Sequence, residues 1–338
     1  MAQGRTTGQT TGHRPHSWPP DRPHDESEVS MGRRDRPRGW PPTPEPLGVD
    51  LIDNHAHLDH VDRVEDAGDS WDTENGPTTA QHLARAREAG VTAVVQIGCD
   101  LPAAHQTVEL VDAHPELLGG IAIHPNEAPL HAGVREVAPD GLEPDPREHH
   151  ATSLDDAIAQ IAELAQHPRI RCIGETGLDF FRGGEQAREV QRASFRAHVA
   201  LAKELGLALQ IHDRDAHRDV IELLDADGAP ERTVFHCFSG DAEMARLCAD
   251  RGWYLSFAGP VSFKANDELR AALRAVPLGQ VMVETDAPFL TPLPHRGRPN
   301  APYLLPLTVR SMADTLGVDP ADVGRATAQT AREVYGPW

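Results

Sequence analysis

Short apolar runs alternate with amphipathic stretches from residue 49 to the end of the sequence. Eight of the runs have the length and the composition of buried strands, at 49–53, 91–97, 118–123, 170–173, 208–211, 234–235, 254–257 and 281–283. Between and after them, apolar residues recur every three or four positions and predict helices, at 79–89, 103–113, 154–166, 187–205, 219–225, 241–250, 266–275, 305–316 and 321–335. This alternation predicts a single (β/α)8 TIM barrel, an α/β fold. A doubly wound sheet of two halves is the structural alternative.

The first 48 residues have a different composition from the rest of the chain. They are rich in Pro, Gly, Arg and His, hold nine of the 29 prolines and contain almost no aliphatic side chains. A segment of this kind cannot bury enough apolar surface to offset the entropy lost on ordering. We therefore predict a disordered tail over 1–48 and one domain over 49–338.

The chain has a net charge of −20, and the excess of acid lies in the predicted domain, which has 46 acidic and 25 basic side chains. Such a surface repels polyanions at long range, so a nucleic-acid substrate would need a local basic patch or metal ions. The four cysteines are scattered, and three lie in or beside apolar runs, as expected for reduced thiols of a cytoplasmic protein. No apolar segment is long enough to span a membrane, and no obligate protein partner is evident.

Two histidines, His55 and His57, follow the first predicted strand with one residue between them. In an extended strand this spacing places both side chains on one face. The pair alone is weak evidence, because 19 histidines in 338 residues give about one such pair by chance. Its meaning depends on the residues that follow the other strands.

Metal-binding side chains also follow five other predicted strands. They are His124, Glu175, His212, His236 and the pair Glu284 and Asp286. The carboxyl ends of barrel strands meet at one rim, where these residues would converge. Imidazole and carboxylate groups suit Zn²⁺, Mn²⁺ or Mg²⁺. Four histidines and two carboxylates exceed the ligands of one tetrahedral ion and fit a pair of ions, with Glu175 as the expected bridge.

The motifs around these positions resemble those of the TatD family of metal-dependent deoxyribonucleases, in the amidohydrolase-like barrel superfamily. The resemblance rests on DNHAHLD at 53–59, GETGLD at 174–179, IHDR at 211–214, HCFSG at 236–240, ETDAP at 284–288 and RGRPNAP at 296–302. It implies phosphodiester hydrolysis on DNA. It also implies that the metal ligands are His55, His57, Glu175, His212, His236 and Asp286.

The expected mechanism is two-metal hydrolysis with Glu175 and Asp286 as catalytic residues, Asp286 orienting or deprotonating the attacking water. Candidate substrate contacts are His124, Arg214, Arg296 and Arg298, whereas the loop histidines at 149 and 150 receive no role. Two long loops, 60–78 and 125–152, follow strand ends and could narrow the rim. We therefore expect an exonuclease that acts on single-stranded or frayed DNA ends.

Two other functions fit parts of the sequence. One is an amidohydrolase or deacylase acting on a small or aminoacyl substrate, since removal of D-amino acids from transfer RNA has been proposed for members of the resembled family. Small-substrate relatives often bridge their metals with a carboxylated lysine, but Lys203 and Lys264 lie away from the strand ends. The other is a barrel that only binds, which the six filled ligand positions disfavour. The sequence leaves the metal, the polarity of cleavage and the choice between DNA and RNA open.

Overall fold

The computed structural model describes residues 39–61 and 77–338, and within them eight parallel strands form one sheet in sequence order. The strands are β1 (Leu51–Ala56), β2 (Val91–Gly98), β3 (Leu117–Ile121), β4 (Ile170–Asp179), β5 (Ala208–Arg214), β6 (Thr233–Phe235), β7 (Tyr254–Phe257) and β8 (Val281–Val283). Helices alternate with them, which confirms the predicted TIM barrel. Residues 1–38 of the predicted tail and residues 62–76 of the first long loop lie outside the described residues.

The nine predicted helices are all present, with small differences at their ends. The described α-helices are α1 (Leu58–Val61), α2 (Thr79–Glu88), α3 (Leu101–Ala113), α4 (Ala128–His131), α5 (Leu154–Leu164), α6 (Glu185–Leu205), α7 (His217–Asp227), α8 (Ala242–Asp250), α9 (Asp267–Ala275), α10 (Leu305–Leu316) and α11 (Pro320–Tyr335). The single-turn helices α1 and α4 were not predicted, because four residues are too few to show a helical period. No helix in the two described stretches is long and apolar enough to cross a membrane.

Strands β4 and β5 are longer than their apolar runs predicted. Each continues through polar residues of the motifs, to Asp179 in β4 and to Arg214 in β5. Their pairing remains parallel up to these two residues, which are register partners. The polar side chains near the strand ends are therefore held by sheet hydrogen bonds, which fixes their positions better than a loop would.

The sheet closes on itself between β1 and the segment that follows β8. A parallel bridge joins Ala56 to Ala287. The Asp53 carboxylate, which is buried, accepts a hydrogen bond from the Thr285 amide at 2.8 Å and another from the Thr285 hydroxyl. Burial raises the pKa of Asp53 to about 8, against the opposing effect of these hydrogen bonds. Side chains therefore contribute much of the contact at this seam.

Residues 39–48, which fall within the predicted tail, lie against the barrel. The Arg298 guanidinium donates to the carbonyl oxygens at positions 39 and 40, at 2.9 and 2.6 Å. Arg85 and the Tyr303 hydroxyl both donate to the Pro41 carbonyl oxygen, at 2.8 and 2.9 Å. A proline-rich segment has more backbone acceptors than donors, and distant side chains supply the donors here. Its own composition could not reveal those partners.

We expect Trp40→Ala to lower the free energy of unfolding by about 1 to 2 kcal/mol, less than the loss for a fully buried tryptophan. The Trp40 ring packs against the hydrophobic core and meets the edge of His82 at a centroid distance of 4.4 Å. Urea unfolding would measure the change. The control is Leu142→Ala, because the Leu142 side chain is 57% exposed. A loss no larger than in this control would mean that the segment adds no stability.

Candidate metal centre

The predicted metal-binding residues converge around Glu175 at the carboxyl ends of the strands. Glu175 Oε2 lies 3.1 Å from His55 Nε2 and 2.8 Å from His236 Nε2. Glu175 Oε1 lies 2.9 Å from His124 Nε2 and 3.7 Å from His212 Nδ1. The carboxylate is only 5% exposed. Glu175 therefore has imidazoles on both of its oxygens, as expected for a bridging carboxylate.

Asp286 completes one side of this arrangement. Its Oδ1 lies 3.4 Å from His57 Nε2 and 3.8 Å from His55 Nε2. Its backbone has a φ of +55°, in the left-handed region that non-glycine residues adopt infrequently. The structure thus brings all six predicted ligands together. His55 and His236 face Glu175 Oε2, His212 faces Oε1, and Asp286 lies beside His55 and His57.

Four of these histidines direct one ring nitrogen away from Glu175 and toward a hydrogen-bond acceptor. The pairs are His55 Nδ1 with Gln210 Oε1 at 2.7 Å, His57 Nδ1 with the Ile97 carbonyl at 3.1 Å, His212 Nε2 with Asp179 Oδ2 at 3.2 Å, and His236 Nδ1 with Glu284 Oε1 at 3.3 Å. Because the partner atoms can only accept, each outward nitrogen must carry the ring proton. The inward nitrogens then present lone pairs, as metal-binding histidines do.

These tautomers make Glu175 Oε2 a test of whether the residues fit a cation. The atom is buried, and when the rings are neutral the nitrogens of His55 and His236 that face it are lone-pair acceptors, so none of the described residues then donates a hydrogen bond to it. An anionic oxygen in that position is costly without a positive partner. A divalent ion would satisfy the carboxylate and the imidazoles together, so the residues fit a metal centre.

In the absence of an ion, protons balance the same charges. Burial lowers the pKa of His57, but the carboxylates of Asp286 and Glu175 outweigh it and raise the pKa to about 9. Burial likewise opposes ionisation of Glu175, yet the facing imidazoles of His236 and His124 hold its pKa well below the usual range. Metal binding must therefore displace a proton from this group of residues.

His124 has the opposite orientation to the four ligand-type histidines. Its Nδ1 accepts the backbone N–H of Asn126 at 3.0 Å, so the ring proton is on Nε2. That proton points at Glu175 Oε1, 2.9 Å away. His124 is thus placed as a hydrogen-bond donor and lacks the inward lone pair of a ligand. This agrees with its prediction as a substrate contact, which stays a prediction.

A second layer of buried polar groups holds the histidines in place. The Tyr335 hydroxyl donates to Asn54 Oδ1 at 2.6 Å, and Asn54 Nδ2 donates to Glu284 at 3.2 Å. Glu284 in turn accepts from His236. Gln210 Nε2 donates to the Asn54 carbonyl at 2.9 Å and thereby directs its own oxygen at His55. Sequence reasoning missed the roles of Asn54, Gln210 and Tyr335. Asn54 lies inside the first motif, but nothing in the sequence singles out Tyr335.

The three candidate arginines have different environments. The Arg214 guanidinium is partly buried and stacks on the Phe181 ring, 3.8 Å from its centroid. Arg296 is exposed and lies 4.5 Å from the centroid of Phe263. Arg298 donates hydrogen bonds from Nε and Nη2 to the backbone carbonyl oxygens of residues 39 and 40. Its contacts therefore make Arg298 an anchor of that segment, whereas Arg214 and Arg296 remain the better candidates for substrate.

The family model described as "TatD related DNase" matches residues 52–336, a range that includes all eight strands except the first residue of β1. The chain belongs to the TatD family. It is accordingly a metal-dependent hydrolase, which agrees with the donor groups around Glu175.

Relatives with curated descriptions cover most of this TatD-family chain. A protein of Mycobacterium tuberculosis, described as "Uncharacterized metal-dependent hydrolase TatD", is 39% identical over 85% of this chain and 98% of its own length. The "3'-5' ssDNA/RNA exonuclease TatD" of Pectobacterium atrosepticum is 33% identical over 75% of this chain and 92% of its own. The solved structure of YjjV, a TatD homolog of Escherichia coli, superimposes with a TM-score of 0.69 at 19% identity, over 85% of this chain and 98% of its own. That last similarity shows the fold alone.

Proposed function

We propose that this TatD-family hydrolase is an exonuclease that removes nucleotides from the 3' ends of single-stranded DNA or RNA with two divalent ions. The observation that carries the proposal is the position of Glu175, a buried carboxylate with ligand-type histidines on both oxygens. Two ions held there would polarise a phosphodiester and favour ionisation of the attacking water. The polarity and the choice of substrate follow the activity by which the Pectobacterium relative is named.

The chain's own side chains supply the other parts of the proposed reaction. Asp286 is 8% exposed, and its carboxylate orients the attacking water and accepts its proton. The Nε2–H of His124 donates to Glu175 Oε1 and so keeps this carboxylate oriented beside the phosphate. Phe289 is 48% exposed with its ring centroid 6.0 Å from that of His57, so a terminal base can stack beside the site. Arg214 binds a neighbouring phosphate.

The acidic surface favours a strand end over long stretches of duplex. With 46 acidic side chains against 25 basic ones beyond residue 48, general attraction to DNA is poor. Affinity then comes from the metal centre and one or two arginines, so few counterions are released on binding. We expect the slope of log affinity against log salt to be only about 1 to 3 in magnitude, since each neutralised phosphate in a single strand adds about 0.7.

The test compares a 5'-labelled linear single strand with a covalently closed circle of the same sequence, in DNA and in RNA, with Mg²⁺, Mn²⁺ or Zn²⁺. We expect a ladder of products shortened from the 3' end, no cleavage of the circle, and no products with Asp286→Asn. Equal cleavage of circle and linear strand would overturn the end-directed proposal. No cleavage of either by metal-loaded protein would favour the alternative, a hydrolase or deacylase of a small or aminoacyl substrate.

A further inference from the structure

A second group of histidines lies in the loop 125–152, apart from the metal centre. His131 ends α4, while His149 and His150 belong to a 3-10 turn over Glu148–Ala151. Each of the three offers a ring nitrogen within 4.8 Å of the nitrogens of the other two. His131 and His150 are only 5% and 6% exposed. His149 and His150 were predicted to be loop residues without a role, so the burial of this group needs a physical reason.

His131 has the tautomer of a metal ligand. Its Nδ1 lies 2.9 Å from the carbonyl oxygen of Thr152, which can only accept, so Nδ1 carries the proton. Its Nε2 is buried and has no hydrogen-bond partner in the described parts of the chain. A buried lone pair without a donor is unfavourable, and burial also lowers the pKa of His131. The same pattern, an outward N–H on an acceptor and an inward lone pair, occurs at His55, His57 and His236.

Glu127 supplies the negative charge beside these imidazoles. Its Oε2 lies 2.7 Å from His150 Nε2 and 3.3 Å from His149 Nε2. The Arg147 backbone N–H donates to His150 Nδ1 at 2.7 Å, so His150 carries its proton on Nε2 and donates it to Glu127. Burial disfavours ionisation of Glu127, but His150 and His149 outweigh it and lower its pKa. His150 thus holds this carboxylate as His124 holds Glu175.

We propose that His131 and His149 bind a Zn²⁺-type cation at a site separate from the catalytic centre. Glu127, which lies beside His149 and is oriented by His150, is the carboxylate ligand. Two imidazoles and a carboxylate are a ligand set that zinc commonly uses. Water or Asp100 completes the set, because an oxygen of Asp100 lies within 4.8 Å of ligand atoms of Glu127 and His149. The site does not depend on the substrate proposed above.

The position of this site in the fold indicates a structural role. Its ligands come from the two ends of the loop, since His131 and His149 are separated by 17 residues of largely irregular chain. The Glu127 N–H donates to the His124 carbonyl oxygen at 2.9 Å, which joins the cluster to the end of β3. An ion there would cross-link the loop and fix it beside the rim, as structural zinc does in loops that bury little apolar surface.

The experiment counts zinc in three variants of the full chain. His131→Asn and His149→Gln each remove one proposed ligand, while His167→Asn is the matched control, a histidine paired with Asp112 at 3.2 Å outside the cluster. Each protein is equilibrated with excess ZnCl2 and desalted, and zinc per chain is measured by mass spectrometry. We expect both ligand variants to hold one ion fewer than the parent and the control to match it. The difference in zinc content between the parent and a ligand variant does not depend on how many ions the catalytic centre holds.

Two further results decide the interpretation. Circular dichroism and thermal unfolding verify that the variants fold, and His149→Gln serves if His131→Asn does not, because His149 is less buried. In a Glu175→Gln background the difference of one ion should persist. If it disappears, the loop histidines act on the catalytic centre and the separate site is refuted. Equal zinc contents in the parent and both ligand variants would also overturn the proposal.

Discussion

Glu175→Gln is expected to lower metal-dependent hydrolysis by more than about a hundredfold. Loss of an outer partner of a metal ligand already costs about ten- to a hundredfold, and Glu175 itself has ligand-type histidines facing both of its oxygens. The amide preserves the shape of the side chain but removes the negative charge that offsets closely spaced dications. The free energy of unfolding should change far less than the activity, because no packing is lost.

Turnover and metal content per chain, measured on the same sample, test this expectation. The control is Glu116→Gln, the same chemical change at a carboxylate that instead binds Arg87 at 2.7 Å, next to the start of β3. The control should retain both turnover and metal. A Glu175→Gln protein that holds a full complement of metal and turns over at a near-normal rate would contradict the bridging role.

Acidification should destabilise the protein through His82, by about 3 kcal/mol. His82 is buried between Trp40 and Tyr303, and neither of its ring nitrogens has a hydrogen-bond partner in the part of the chain that the structure describes. Burial, helped by the charge of Arg85, lowers the pKa of His82 from 6.5 to about 4. Each unit of difference between the folded and unfolded pKa is worth about 1.4 kcal/mol.

The direction of the effect follows from proton binding. Between pH 6.5 and pH 4 the unfolded chain holds a proton on His82 that the folded protein excludes. The full stability is therefore present above pH 6.5, and it is lost progressively as the pH falls toward 4.

Urea unfolding at several pH values, with a chelator present throughout, would measure this loss in the parent and in His82→Phe. Phenylalanine keeps an aromatic ring between Trp40 and Tyr303 and cannot be protonated. The difference between the two proteins cancels other titrating groups, including His198, which is also buried with a pKa lowered to about 4. Identical pH dependence of unfolding in both proteins would contradict a role for His82.

The barrel could be predicted because each strand has a recognisable local sequence pattern. Runs such as Val281–Val283 are short, but they are apolar, bounded by polar residues and separated by helical periods. The convergence of the candidate metal ligands could be predicted because barrel topology places strand ends together whatever their distance in sequence. His55 and Asp286 are 231 positions apart in the chain, yet the backbone N–H of Asp286 donates to the His55 carbonyl at 2.9 Å.

Other features depend on contacts that no local pattern encodes. The hydrogen-bond acceptor for His57 Nδ1 is a backbone carbonyl of β2. Every residue has such a carbonyl, so the sequence cannot indicate which one His57 contacts. Tyr335 reaches Asn54 from the last helix, although its spacing is that of any buried helix residue. Residues 39–48 have no apolar period, so the sequence could not indicate that Arg85 and Arg298 donate hydrogen bonds to their backbone. The lone pair of His131 became apparent only with its Thr152 partner.

A metal ion at the seam between β1 and β8 would link the supply of metal to the lifetime of the protein. Only one bridge, from Ala56 to Ala287, joins these two strand regions in the described sheet. His55 and His57 stand on one side of the seam and Asp286 on the other. A cation bound by all three residues would cross-link the first and last strands of the barrel where they meet. In a cell starved of that metal, this seam would open more often, and proteases would remove the enzyme itself along with its activity.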